Sequence, residues 1–263
     1  MITMTTTNCP MKHPERIEYD LGSGIKAFST LRSARSADEP YSGFSVCHYT
    51  GDDPAHVEGC RDELCRGLGI DRRHLVVPRQ THSSEVAMVT EANLDTLNLE
   101  GIDALVTAEA GIALSINTAD CVPLLMADPE AGVIAAVHAG WRGVIAGIAV
   151  KSVRVMESLG ARADRINVAM GPSIGPCCFE VGEEVAAKFE ETFGPDPDDI
   201  IDRNREKPHI NLGIALDAQL VHAGLMPRNI TLPRVCSRCR HEDFFSARRL
   251  GIASGRTLSL IIR

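Results

Sequence analysis

No run of about 18 apolar residues occurs in the chain, so no segment reads as a helix that spans a bilayer. The first residues, Met1 to Glu15, lack the basic region and apolar core of a secretory signal, and 1–16 reads as a disordered tail. A basic stripe is missing as well. With 27 Lys and Arg against 35 Asp and Glu, the formal charge is −8, which argues against binding a run of phosphates and hence against a nucleic-acid partner. Gly-x-Gly-x-x-Gly and the Walker loop are absent, so neither nucleotide-binding fingerprint is available. Nine cysteines are an odd number for a disulfide framework and, without a signal, read as reduced thiols; the cytoplasm is the expected location. No internal repeat, low-complexity run or linker divides the chain.

What is present is an ordinary soluble composition, 44% hydrophobic and 24% charged, in a chain of 263 residues that can bury a substantial core. One domain over 17–263 is the simplest reading. Ile17 to Ser29 reads as a strand pair and Tyr41 to Tyr49 as a strand. Gly51-Asp52-Asp53-Pro54 is a turn with an N-cap and Pro at N1, opening a helix from Ala55 to Leu68 that stops at Gly69. Short strands are expected at His74–Pro78, Glu85–Thr90 and up to Thr107. Apolar residues at helical spacing (Val144, Ile148, Val150, Val153, Met156) predict one helix from Gly143 to Leu159. A strand at Ile166–Met170, helices at Val181–Phe193 and Leu212–Ala223, and strands at Ile230–Val235 and Leu258–Ile262 complete the chain. Strands outnumber helices without strict alternation, so the expected class is α+β, with mixed β-sheets flanked by helices.

The stretch from Gly111 to Ile148 carries the chemistry. Val122 to Ala127 and Val133 to Val137 are apolar runs that read as buried strands, and Asp128-Pro129-Glu130-Ala131-Gly132 between them has turn composition. Joined this way they are antiparallel, which puts Cys121, at the head of the first, near His138, at the end of the second. Asp120 precedes the cysteine and Arg142 follows the histidine, both on turns that can line a pocket. His82 lies in a polar break, Gln80 to Ser84, within a strand-like stretch. Each of these residues alone also has a bland reading as a buried or loop side chain.

Six pieces stand in order along the chain: Gly51-Asp52-Asp53-Pro54, Gln80-Thr81-His82, Thr118-Ala119-Asp120-Cys121, His138-Ala139-Gly140-Trp141-Arg142-Gly143, Gly171 to Cys178, and Phe244-Phe245-Ser246-Ala247-Arg248-Arg249. Together they resemble the laccase-domain family, also called the polyphenol-oxidase or YfiH-like family, whose members are regarded as purine nucleoside phosphorylases. The chain differs from the usual pattern at Phe179, at Ala247 and at Cys236-Ser237-Arg238-Cys239. The resemblance implies a YfiH-like fold, His82, Cys121 and His138 as ligands of Zn2+, and a purine nucleoside and phosphate as substrates. Two nitrogen donors and one sulfur donor leave a fourth zinc position open, the pattern of a catalytic site. The implied reactions are phosphorolysis of adenosine, inosine and methylthioadenosine, and adenosine deamination. Arg142, Arg248 and Arg249 are candidates to hold the phosphate, or to form ordinary salt bridges. Asp120 is a candidate for acid–base work or for orienting its neighbours, or it caps a turn.

Three other functions compete. The same His₂Cys set suits copper and phenol oxidation, although none of the nine histidines stands in the His-x-His pairs of a four-copper laccase. Cys121 with His138 as base would make a cysteine hydrolase. A metal-dependent binding protein without turnover is the non-enzymatic option. Cys236-x-x-Cys239-x-His241 offers three ligands for a second zinc, one short of a closed site, and the vicinal pair Cys177-Cys178 suits chelation of one ion poorly.

Overall fold

The computed structural model describes residues 14–33, 36–195, 197 and 199–263. Most of the expected tail lies outside these residues, and Arg16 already begins a strand. In chain order the elements are β1 (Arg16–Tyr19), β2 (Lys26–Thr30), α1 (Pro54–Leu68), β3 (Leu75–Val76), β4 (Val86–Met88), β5 (Ala104–Thr107), β6 (Ala113–Thr118), β7 (Val122–Asp128) and β8 (Val133–Ala139). Then follow α2 (Trp141–Ile145), α3 (Ile148–Ser158), β9 (Asn167–Met170), α4 (Glu183–Phe193), β10 (Ile201–Asp202), β11 (His209–Ile210), α5 (Leu212–His222), β12 (Ile230–Thr231), α6 (Ala247–Leu250) and β13 (Thr257–Ile262). The class is α+β. Two mixed sheets, in the orders β1-β2-β13-β6-β3 and β12-β9-β7-β8-β5-β4, stand beside a short β10-β11 ribbon. Among the described residues, no helix is long and apolar enough to cross a membrane.

The unbroken apolar runs are explained by burial on both faces. Along β7, Val122, Leu124 and Met126 point into a core shared with Val144, Ile148, Val153 and Met156 near the central helices, and with Phe189 and Leu216 of α4 and α5. The alternate residues Leu125 and Ala127 point the other way, against Leu114, Ile116 and Ile261 of the second sheet. That sheet's far face, with Phe28, Leu258 and Leu260, is covered by Cys60, Leu64 and Cys65 of α1. The layers therefore run helix, sheet, sheet, helix. Each fully buried Leu, Ile or Val contributes about 1.5–3 kcal/mol.

The β7–β8 hairpin forms as expected, and its register sets the site. Asp128 Oδ1 accepts the N–H groups of Glu130 and Ala131, both at 3.0 Å, and Gly132 takes φ 67°. From that turn the pairing runs back to Pro123 opposite His138 and Val122 opposite Ala139, which leaves Cys121 beside the end of β8. Helix α1 also forms as expected, with Asp53 accepting the Ala55 N–H at 2.9 Å and Gly69 closing it at φ 71°.

Three expectations need correction. The helix from Gly143 to Leu159 is broken: Gly147 takes φ 73°, a left-handed turn that ends α2 and starts α3 in a new direction. Tyr41 to Tyr49 forms no strand. The buried Arg32 guanidinium takes the carbonyls of Ser36, Ala37, Glu39, Ser42 and His241, so the main chain leading into this segment is held by a side chain rather than a neighbouring strand. Its strand-like residues reflect burial, with Phe44 and Val46 in the core against α1. The Ile230–Val235 strand is only Ile230–Thr231, with Pro233 unable to donate to a longer ladder.

Candidate metal centre

Asp103 organises the site. The sequence places a lone carboxylate at the head of the apolar strand β5, and its side chain is fully buried. Its two oxygens accept the backbone N–H groups of Thr81 (3.0 Å), His82 (3.0 Å) and Ser83 (2.9 Å), and Oδ1 also lies 2.6 Å from His138 Nδ1. One carboxylate therefore holds the loop that carries His82 and orients the imidazole of His138. Burial pushes the Asp103 carboxyl up, but the His138 and backbone hydrogen bonds outweigh it and the group is held below its ordinary value. The loop is pinned further by Gln80, whose amide accepts the Asn117 N–H at 2.8 Å and donates to the Asn117 carbonyl at 2.9 Å. His82 itself sits at φ 63°, a left-handed conformation imposed by that cage.

His82, Cys121 and His138 come together, with one ligand atom of each lying within 4.8 Å of the others. The two imidazoles meet edge to face, with ring centroids 4.9 Å apart. Because Nδ1 of His138 is taken by Asp103, Nε2 remains to face the cluster, as in a carboxylate–histidine–metal relay. Burial pushes the Cys121 thiol up, yet the adjacent His138 and His82 bring it down to about 6. His138 is pulled down by burial but raised to about 9 by the Cys121 charge and the Asp103 hydrogen bond. Gly140 leaves the space they need: a Cβ there would stand 2.8 Å from His82 Cδ2 and 3.0 Å from Cys121 Sγ. A thiolate and two imidazoles on one point, with no room for a methyl group, fit a soft or borderline divalent metal.

The cluster opens on a cavity of about 370 Å³, whose wall also includes Tyr49, Asn117, Ala247 and Arg256. Among the described residues, both side-chain amide atoms of Asn117 are buried without a hydrogen-bond partner. Arg142, Arg248 and Arg249 are not on this wall. Arg142 lies over the Trp141 ring, 4.3 Å from its centroid. The guanidinium of Arg248 donates to the Glu180 carbonyl, and Arg249 is 3.9 Å from Asp38. Asp120, at φ 89°, ties loops together: Oδ1 accepts Ser237 Oγ–H at 2.7 Å, Oδ2 the Arg248 N–H at 2.7 Å, and its carbonyl the Ile174 N–H. Sequence reasoning missed Asp103 and Arg256. A charge heading a buried strand was a usable signal for the first; Arg256, in a loop before β13, carried none.

The family described as Multi-copper polyphenol oxidoreductase laccase matches residues 26–263. The protein named adenosine deaminase RL5, from an unknown prokaryotic organism, is 48% identical over 248 residues, covering 91% of this chain and 94% of that one. A protein named purine nucleoside phosphorylase from Bacteroides thetaiotaomicron is 39% identical over 249 residues, covering 91% and 92%. The crystal structure of the hypothetical protein YfiH of Bacillus licheniformis superposes with a TM-score of 0.87 at 27% identity, covering 96% of this chain and 98% of that one.

Proposed function

The chain belongs to the Multi-copper polyphenol oxidoreductase laccase family, and from that membership we propose that it is a zinc-dependent purine nucleoside enzyme. It cleaves adenosine, inosine and methylthioadenosine with phosphate to the free base and the ribose 1-phosphate, and deaminates adenosine. The observation that carries this reading is the convergence of His82, Cys121 and His138 on a cavity whose wall includes Asn117, its side-chain amide without a hydrogen-bond partner among the described residues. The relatives named adenosine deaminase and purine nucleoside phosphorylase support the substrate class.

Zinc held by these three side chains supplies Lewis acidity, which makes water a nucleophile near neutral pH. The protein's own groups do the rest. Asp103 fixes the His138 tautomer and the His82 loop. Asn117 offers a donor and an acceptor to the edge of a purine. Arg256, on the cavity wall, meets the phosphate within the site, with Arg142, Arg248 and Arg249 supplying positive charge outside it. Asp120 acts through position, holding the turn that carries Cys121. One domain over 17–263 houses all of this.

Hypoxanthine release from inosine, assayed with and without phosphate on zinc-loaded protein, tests the reading. Phosphate-dependent release, lost in His82→Ala together with about one equivalent of zinc, supports it; turnover by metal-free protein overturns it. A second reading has its own observation. The low Cys121 thiol beside a high His138 is the charge state of a cysteine nucleophile and its base, and only a metal-free active protein would favour it.

A further inference from the structure

Two pairs of thiols from distant parts of the sequence meet at one point of the surface. Cys177 and Cys178 follow Gly175 in the loop after β9, and Cys236 and Cys239 lie in the turns before α6. Their Sγ atoms all lie within 4.8 Å of one another. Cys239 Sγ is 3.7 Å from Cys177 Sγ and 3.5 Å from Cys178 Sγ. A tetrahedral zinc with Zn–S bonds of about 2.3 Å has sulfur–sulfur edges of roughly 3.8 Å. The spacing expected from sequence offered three ligands including His241, and set the vicinal pair aside as a poor chelator of one ion; the fold replaces that histidine with the vicinal pair, whose two Sγ atoms both reach the point where Cys236 and Cys239 meet.

We propose that Cys177, Cys178, Cys236 and Cys239 form a second, tetrathiolate zinc site that staples the two loops behind the nucleoside centre. Several features beyond the sulfurs build it. Ser173 and Cys236 are bridged in parallel fashion, the Ser237 N–H donating to the Ser173 carbonyl at 2.9 Å, so the two loops are already joined. The Gly175 N–H donates to Cys236 Sγ at 3.3 Å, a contact that steadies a coordinating thiolate. A Cβ at Gly175 would lie 3.3 Å from Cys177 Sγ and from Cys236 Cβ, so glycine permits the close approach. Arg238 donates to Cys178 Sγ at 3.4 Å and offsets the net negative charge of four thiolates on one divalent ion.

Zinc uses all four sulfurs, whereas one disulfide uses two, and Cys239 stands near-equally from both vicinal partners, so no pair is singled out. Soft thiolates in a closed set of four select zinc over harder ions, and each thiol gives its proton to bulk water on binding. Cys177 and Cys239 are exposed, so without a metal they are open to oxidation. The site also has a reach. Ser237, between the ligands Cys236 and Cys239, donates to Asp120, the residue before Cys121. The staple therefore supports the wall of the first centre without touching it.

Zinc counting in the full chain, stripped under reducing conditions, reloaded and dialysed, tests this. Wild type should retain about two zinc ions per chain, Cys239→Ser about one, and His82→Ala about one. Cobalt loaded into His82→Ala should show strong thiolate-to-metal charge-transfer absorption, absent from a His82→Ala/Cys239→Ser double variant. Zinc retained by Cys239→Ser at the His82 centre shows that this variant is folded. A wild-type count in Cys239→Ser, no zinc in His82→Ala, or a disulfide among these cysteines in native protein trapped by alkylation would each overturn the proposal. No zinc in Cys239→Ser with one in His82→Ala would instead remove the first centre and leave this one standing.

Discussion

Asp103 Oδ1 lies 2.6 Å from His138 Nδ1, and the same carboxylate gathers the backbone N–H groups of Thr81, His82 and Ser83. Two of the three donors of the centre thus depend on one residue that does not itself belong to the cluster. Asp103→Asn keeps the shape but turns an amide N–H₂ toward backbone donors. Metal affinity should fall by about 10–100-fold, and the fold should lose about 3 kcal/mol, because a buried partner is removed from groups that stay buried. Chelator competition and urea unfolding measure the two effects. Unchanged metal affinity would mean that the carboxylate serves the loop alone.

Gly140 makes a sharper test of the centre, because it contributes no donor. A methyl group there would stand 2.8 Å from the His82 ring and 3.0 Å from Cys121 Sγ. Gly140→Ala should push those donors apart, weakening metal binding at least tenfold while costing about 1–3 kcal/mol of stability. If chelator competition shows wild-type affinity, the three side chains do not share an ion.

Stripping the metal should expose chemistry that the metal hides. With its thiol lowered to about 6 by His138 and His82, Cys121 is largely thiolate at neutral pH. Iodoacetamide should label it in metal-free protein with a rate that rises through about pH 6, while zinc-loaded protein stays unlabelled there. Labelling that rises only near pH 8.5, the range of an ordinary thiol, would show that the imidazoles do not face it.

Much of this site was legible because it is local. Cys121 and His138 flank one hairpin, and hairpin register follows from turn composition and strand length, so their approach could be read from Val122 to Val137 alone. The helix over Pro54–Leu68 was legible for the same reason, its cap and stop being written in Asp53, Pro54 and Gly69. Most of what failed was non-local. The Tyr41 to Tyr49 stretch has strand-like residues, but its surroundings are set by Arg32, through side-chain bonds that no periodicity encodes. The Gly143 to Leu159 helix failed locally instead: its apolar period is intact, and it outweighed Gly147, a glycine inside the run whose left-handed backbone turns the chain. Arg256 reaches the cavity from a loop in the last part of the chain, far beyond the hairpin that ends at His138. The four-thiol cluster was hidden likewise, since each half alone is an incomplete set.

The hairpin itself should respond to acid through Asp128. Its side chain is wholly buried, accepts the N–H groups of Glu130, Ala131 and Arg162, and pairs with Arg165 at 2.9 Å. Burial pushes this carboxyl up, but the backbone donors and Arg165 hold it below its ordinary value. A carboxylate lowered on folding stabilises the fold above its unfolded pKa of about 3.9, and that contribution is lost as pH falls through the folded value. Asp128→Asn should therefore be less stable than wild type at pH 7, by about 1–3 kcal/mol, with the gap closing as the pH drops below about 4. Urea midpoints for both proteins at neutral and acid pH give the comparison. A gap that stays constant across that range would assign the loss to shape rather than charge, and the turn that sets the Cys121–His138 register would then owe nothing to the ionised form of Asp128.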